Sequence, residues 1–197
     1  MRLHAIPHST NVHRVRLALA LKGLEAEVVQ HAVGDRSAIR ALSGQDLVPV
    51  LETGTGEVLT DSMPIVAWID ATWPQPHPLY PADPAARREV QAFVDFFNYV
   101  WKVPPNAIDG AAEGDPRIPG WRAQLRGWQH GFDALLTDRP FLFGDRPGAA
   151  DVCAYPFLRF ATSSEPDDDD LFHGILIETL ANPPQRLAAW IDRMANL

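Results

Sequence analysis

Along the first 75 residues, short apolar runs of strand length alternate with stretches whose apolar positions recur at helical spacing; beyond residue 83 the helical spacing takes over. Residues 2–6 read as a strand bounded by Pro7. Residues 11–22 place Val12, Val15, Leu19 and Lys22 on one helical face, with Leu17, Ala18 and Leu21 beside it. Gly23 is placed to end that helix in the left-handed conformation. Residues 25–31 read as a second strand and residues 35–42 as a short helix. Residues 48–52 and 57–60 flank Thr53-Gly54-Thr55-Gly56, a turn-rich tetrad that predicts a β-hairpin loop. Ile65, Val66, Trp68 and Ile69 then predict a helix over 62–72. The order is β-α-β-α-β-β-α, and the alternation of the first three strands with helices predicts a parallel core.

Residues 73–81 carry four prolines in nine positions, which suits neither a helix nor a central strand and reads as a stiff linker. After it, Val90, Phe93, Phe97 and Val100 predict a helix over 84–102, stopped by Pro104-Pro105. Further helices are expected over 118–137, over 149–155 with Pro156 as a kink or stop, and over 184–196. Residues 165–170, with four consecutive aspartates, read as a solvated loop. The predicted organisation is a small α/β domain over 1–75, a proline-rich linker over 76–83 and an all-helical domain over 84–197.

Composition narrows the function classes. Apolar residues make up 46% of the 197 positions, enough for a globular core, and the formal charge is −8. Nucleic-acid binding needs clustered cations, and the lysines here are Lys22 and Lys102 alone, so nucleic acid is not expected as a partner. A single cysteine, Cys153, excludes an internal disulfide or a CxxC site and reads as a buried core thiol. The sequence has no apolar run of membrane-spanning length and no signal peptide near its start, so a cytoplasmic protein without a membrane partner is expected. His4, His8 and His13 complete no metal-ligand spacing, and no metal is expected.

Three segments of the first domain carry candidate chemistry. Ser9, Thr10 and Asn11 stand between a strand and a helix, where unpaired N–H groups favour an anion; equally, one of them simply caps the helix. In Val48-Pro49, a cis bond would turn the Val48 N–H and C=O outward to pair with an extended peptide, whereas a trans proline would be an ordinary strand edge. In Asp61-Ser62, the serine would offer a hydroxyl and an N–H to a carboxylate and the aspartate would take an ammonium group, or the pair only caps the next helix. Phe97, Tyr99 and Trp101 read as core or dimer contacts before pocket lining, and His130 and Asp133 as surface.

Together these segments resemble the glutathione transferase superfamily. The resemblance spans nearly the whole chain: residues 9–16, Val48-Pro49, Asp61-Ser62, the proline-rich linker, and Phe141-Leu142-Phe143-Gly144-Asp145-Arg146-Pro147 leading to Ala150-Asp151. It is similar to the serine-using phi-, theta- and bacterial-type members rather than the tyrosine-using classes. It implies an α+β two-domain fold, thioredoxin-like at the N-terminus and all-α at the C-terminus, in a homodimer with glutathione as co-substrate. By the same resemblance Ser9 donates to the glutathione sulfur, with Thr10 and Asn11 beside it. Val48 pairs with the cysteinyl backbone ahead of a cis Pro49, and Asp61 and Ser62 hold the γ-glutamyl end. The implied activity is detoxifying attack of the thiolate on a small apolar electrophile, whose pocket is set by residues 102–119.

The chain departs from the family at Ser43-Gly44-Gln45-Asp46-Leu47, where members carry Asn-Pro-x-Gly followed by Lys, Arg or Gln. Asp46 there would repel the glycyl carboxylate unless Arg36 or Arg40 substitutes. Gly148 also replaces the usual Ser or Thr cap. These departures leave three other readings open: another low-molecular-weight thiol, a non-catalytic scaffold, and a thiol-dependent peroxidase or isomerase.

Overall fold

The computed structural model describes residues 1–165 and 167–197, and the chain divides into two compact units, Met1–Ala82 and Asp83–Leu197. Pro166, within the acidic stretch, lies outside the described residues.

The first unit holds β1 (Arg2–Ala5), α1 (Thr10–Leu21), β2 (Glu27–Gln30), α2 (Ser37–Ser43), β3 (Val50–Glu52), β4 (Val58–Thr60) and α3 (Ser62–Thr72). The sheet order is β2-β1-β3-β4. β1 and β2 are parallel, but β3 runs antiparallel to β1, with Leu3 opposite Leu51 and His4 opposite Val50. This corrects the expectation of a parallel third strand. The short α2 connection leaves and re-enters at one end of the sheet, whereas a parallel crossover must carry the chain back along a full strand. β4 then pairs antiparallel with β3 across the expected hairpin.

Leu3, Ala5 and Leu51 share one face of the pleat, while Arg2, His4, Val50 and Glu52 share the other. α1 packs beside α3, burying Val15, Ala18 and Leu19 together with Ile65, Val66 and Ile69. The end of α1 is a Schellman motif: Gly23, at φ 64°, donates to Ala20 C=O and Leu24 donates to Leu19 C=O. Lys22 at that end is buried. Its Nζ donates to Asp70 Oδ1 at 2.7 Å and to His77 C=O at 2.6 Å. Asp70 also accepts the Leu79 and Tyr80 N–H groups, at 2.7 and 3.0 Å. The proline-rich stretch is thereby tied back to α1 and α3, and it contains a cis Gln75–Pro76 bond.

In the second unit, α4 (Pro84–Phe96) is capped by Asp83, whose carboxylate accepts the Ala85 and Ala86 N–H groups. The expected single helix over 84–102 widens instead into a π-helical turn, Phe97–Trp101, where the Trp101 ring stacks 4.3 Å from Phe97. Pro104 and Pro105 end that turn and also open α5 (Val103–Asp109), because the first helical turn needs no N–H from them. Part of the expected loop over 102–119 is therefore helix. α6 (Ile118–Leu135) follows, and α7 (Ala149–Leu158) runs through Pro156 rather than stopping at it, passing into a 3₁₀ turn at Arg159–Ala161.

α8 (Leu171–Leu180) was not expected, since its apolar residues surround the helix and give no amphipathic stripe. The acidic stretch is not merely solvated. Asp170 caps α8 through Phe172 N–H, Asp168 pairs with the buried His173 at 2.7 Å, and Glu165 pairs with Arg159. Asp133, expected to be an idle surface residue, accepts Arg186 and Leu187 N–H groups at the start of α9 (Gln185–Ala195). Asp151 is fully buried and accepts from Leu142 N–H, Gly148 N–H and Trp190 Nε1. Burial pushes its carboxyl above the usual range, while these donors pull it back.

Removing one partner of a buried ion pair costs about 3–5 kcal/mol, because the other charge is left uncompensated. Lys22→Met is therefore expected to destabilise the first unit by about that amount, read as a lowered urea midpoint.

Candidate active site

Four connections of the first unit meet at one end of its sheet. The C-terminal ends of β1, β2 and β4 lie there with the N-terminal end of β3, as the pairs Ala5–Gln30, His4–Val50 and Val50–Thr60 require. Residues 6–9, 31–36, 48–49 and 61–62 therefore converge on that edge. The expected candidates Ser9, Thr10, Asn11, Val48, Pro49, Asp61 and Ser62 are all on it.

Ser9 is the N-cap of α1. Its Oγ accepts the Val12 N–H at 3.3 Å, which leaves the hydroxyl proton free to be donated elsewhere. Ser9 is half-buried, Thr10 is buried, and Asn11 is turned to Arg14. His8, just before Ser9, has a φ of 56°, and Asp61, just before Ser62, has a φ of 68°. Such left-handed backbone at non-glycine residues concentrates where a function fixes the geometry.

Arg14 was not singled out from the sequence. It is 1% exposed, and its Nη1 donates to Asn11 Oδ1 at 3.3 Å and to Ser62 Oγ at 3.2 Å, joining the first turn of α1 to the start of α3. The available signal was its spacing: Arg14 stands three and four residues before Leu17 and Ala18, on the apolar side of the helix. Ser62 is buried and its oxygen accepts from Arg14, so its hydroxyl proton, like that of Ser9, is left to donate to an incoming carboxylate beside the backbone N–H groups at the start of α3. Pro64 supplies none of these, leaving the donors of Ser62 and Met63. Asp61 is exposed and its side chain makes no capping bond.

The Val48–Pro49 bond is cis. Val48 is half-buried and precedes the first ladder residue of β3. Just upstream, the Gln45 side chain pairs with both the N–H and the C=O of Leu47. Of the two candidate substitutes for the missing cation, Arg40 is taken up by Asp46 at 2.6 Å, which neutralises the carboxylate that would repel an anion. Arg36 remains, with its Nη1 buried and lacking a hydrogen-bond partner among the described residues.

Chain comparison adds the lineage. The model of the glutathione S-transferase N-terminal domain matches residues 3–77, and that of the C-terminal domain matches residues 107–193. The chain is 32% identical over 170 residues to the maleylacetoacetate isomerase of Pseudomonas aeruginosa, covering 80% of each. It is 38% identical over 96 residues to the maleylpyruvate isomerase of a Ralstonia species, but spans only 44% of that protein. The solved structure of the tau class glutathione S-transferase MiGSTU from mango (Mangifera indica) superimposes with a TM-score of 0.80 at 20% identity, over 98% of this chain and 87% of that one. The chain belongs to the glutathione S-transferase superfamily.

Within this transferase fold, Phe97 and Trp101 are fully buried and Tyr99 is 74% exposed, so two of the three rings considered for a pocket are core of the second unit. Cys153 is buried in α7. The described residues contain no group of three or more His, Cys, Asp or Glu arranged to hold a metal ion, and no helix long and apolar enough to cross a membrane. An open cavity lined by Lys22, Trp73 and Pro76 lies at the far end of α1 from Ser9, about 20 Å away at 1.5 Å per residue.

As an N-cap, Ser9 also contributes to folding. Ser9→Ala is expected to lower the stability of the first unit by about 1 kcal/mol, measurable by thermal or urea denaturation without any ligand.

Proposed function

We propose that this protein is a glutathione-dependent enzyme that holds the tripeptide as a thiolate at Ser9 and adds its sulfur to an electron-poor carbon of a small apolar molecule. The observation that carries the reading is the Ser9 hydroxyl. Its oxygen is anchored by the Val12 N–H at the positive end of α1, while its proton is left to donate. A free thiol has a pKa of about 8.5, and a hydrogen bond to a charged group contributes roughly 1.5–3 kcal/mol, enough to lower that value by about one to two units. In this reading Val48 pairs with the cysteinyl backbone, Asp61 takes the γ-glutamyl ammonium, and the N–H groups at the start of α3 take its carboxylate. Arg36 takes the glycyl carboxylate in place of the cation usual before Val48.

A second reading, isomerisation, is favoured by the names of the two bacterial relatives. Both readings share the first bond. A thiolate adds to one carbon of an alkene conjugated to a carbonyl, and the electron pair moves onto the carbonyl oxygen. The former double bond can then rotate. Expulsion of the thiolate restores the alkene in trans form and regenerates glutathione, whereas protonation of the adduct, or loss of a different leaving group, leaves the sulfur on the product. A non-catalytic scaffold, by contrast, would do neither.

Ultraviolet titration of bound glutathione tests the thiolate. The bound thiol should ionise below about 8.5 in the wild type and one to two units higher in Ser9→Ala. An unchanged titration in Ser9→Ala would remove Ser9 from the mechanism. Following glutathione during turnover separates the two reactions, because an aryl halide consumes one thiol per product and a cis-dicarbonyl alkene consumes none. Arg36→Ala should weaken glutathione at least about tenfold in calorimetry while leaving its glycyl amide unaffected.

A further inference from the structure

The connection from α2 to β3 departs from the family's motif, yet it is closed by hydrogen bonds of its own. Ser43, the last residue of α2, has its hydroxyl 2.8 Å from Ile39 C=O and 3.2 Å from Gln45 C=O. Gly44, at φ 76°, donates to Arg40 C=O, and the Arg40 guanidinium holds Asp46 at 2.6 Å. The Gln45 side chain completes the set. Its Oε1 accepts the Leu47 N–H at 2.6 Å, and its Nε2 donates to the Leu47 C=O at 2.9 Å.

A carboxamide reaches both polar groups of one residue only where they point to the same side, as in a strand paired with a neighbour. Gln45 thus does for Leu47 what an adjacent strand does inside the sheet. Along an extended segment the polar groups of successive residues point to opposite sides, so those of Val48 face away from Gln45. The Val48 N–H and C=O have no hydrogen-bond partner among the described residues. Pro49 brings no N–H, and the ladder of β3 begins only at Val50. One residue of extended backbone is therefore held with both its polar groups unspent. Burial does not hold it, since Leu47 is 74% exposed; the connection is rooted in α2, whose Ile39 is fully buried.

We propose that Gln45 is a positioning residue: its carboxamide stands in for a neighbouring strand and keeps residues 47–48 extended before a ligand arrives, so that Val48 pairs with one residue of an incoming thiol peptide. The pairing at Val48 rests on the proposed function, whereas the hold on Leu47 does not. A loop that must be ordered on binding takes that cost out of the affinity, and a loop ordered beforehand avoids it. Gln45 bonds to Leu47 and is not assigned to the peptide, so its effect falls on affinity and leaves the ionisation of the sulfur to Ser9.

Amide exchange of the full chain, resolved residue by residue by NMR, reads the hold without any ligand. The Leu47 N–H should be protected and the Val48 N–H should exchange near its intrinsic rate. In Gln45→Met, close in size but unable to make either bond, Leu47 should lose its protection while the Gly44 N–H keeps its own. Equal Leu47 exchange in the two proteins, or loss at Gly44 as well, overturns the positioning role. Glutathione should protect Val48 in the wild type. By calorimetry Gln45→Met should bind glutathione about three- to tenfold more weakly, with the bound thiol titrating as in the wild type. An unchanged affinity, or a shifted titration, overturns the link to the peptide. No binding of glutathione by the wild type overturns the proposed function, while exchange at Leu47 still decides the hold.

Discussion

Two buried cations on one side of α1 fix where α3 lies. Arg14 donates to Ser62 and Lys22 donates to Asp70, and both bonds span 48 positions of sequence, so the helices run parallel and in step. Each bond sits at a helix end, where the backbone has groups without helical partners. The apolar contact of Val15, Ala18 and Leu19 with Ile65, Val66 and Ile69 supplies attraction but little register, since burial is non-directional. The polar bonds at the two ends supply the register. Lys22 extends the effect by drawing in His77, and Asp70 does so by drawing in Leu79 and Tyr80, so a stretch rich in proline is anchored where its own backbone offers few donors.

That register brings the starts of α1 and α3 to the same edge, which matters chemically because both are positive ends of dipoles. Arg14 lies behind them, and a guanidinium does not lose its proton on burial. Two of its acceptors, Asn11 Oδ1 and Ser62 Oγ, belong to the first turns of α1 and α3, so the guanidinium ties the two helix starts together. An edge built this way suits a ligand that carries a thiolate and two carboxylates. Helix starts of this kind favour anions even in a chain whose overall charge is −8, because the local placement of charge acts at closer range than the net value.

How much of this the sequence disclosed depended on the kind of interaction. The helix over 62–72 and the left-handed Gly23 were legible because periodicity and glycine act locally. The direction of β3 was not, because alternation of strands and helices is also compatible with a connection that returns to the same end of the sheet. Arg14 sat inside the quoted motif but its part in it required Ser62, far along the chain. α8 was hidden for the opposite reason: Leu171, Ile175, Leu176 and Ile177 cover too much of the helix surface to leave a polar stripe. The aspartates before it read as a charge run, yet Asp168 and Asp170 have partners that only the folded chain supplies.

The second unit solves the same problem with the opposite sign of charge. Where α1 and α3 are joined through cations, Asp151 joins the start of α7 to Leu142 and to Trp190 of α9 through three N–H donors. Gly148, lacking a side chain to cap α7, contributes through its own backbone N–H, so the loss of a hydroxyl there leaves the junction intact. The candidate edge of the first unit, by contrast, holds groups that still have capacity to bond, such as the Ser9 proton and the Arg36 guanidinium. The polar atoms of the Asp151 junction are already committed to one another. Structural and functional polarity are distinguished here by what each group has left to give.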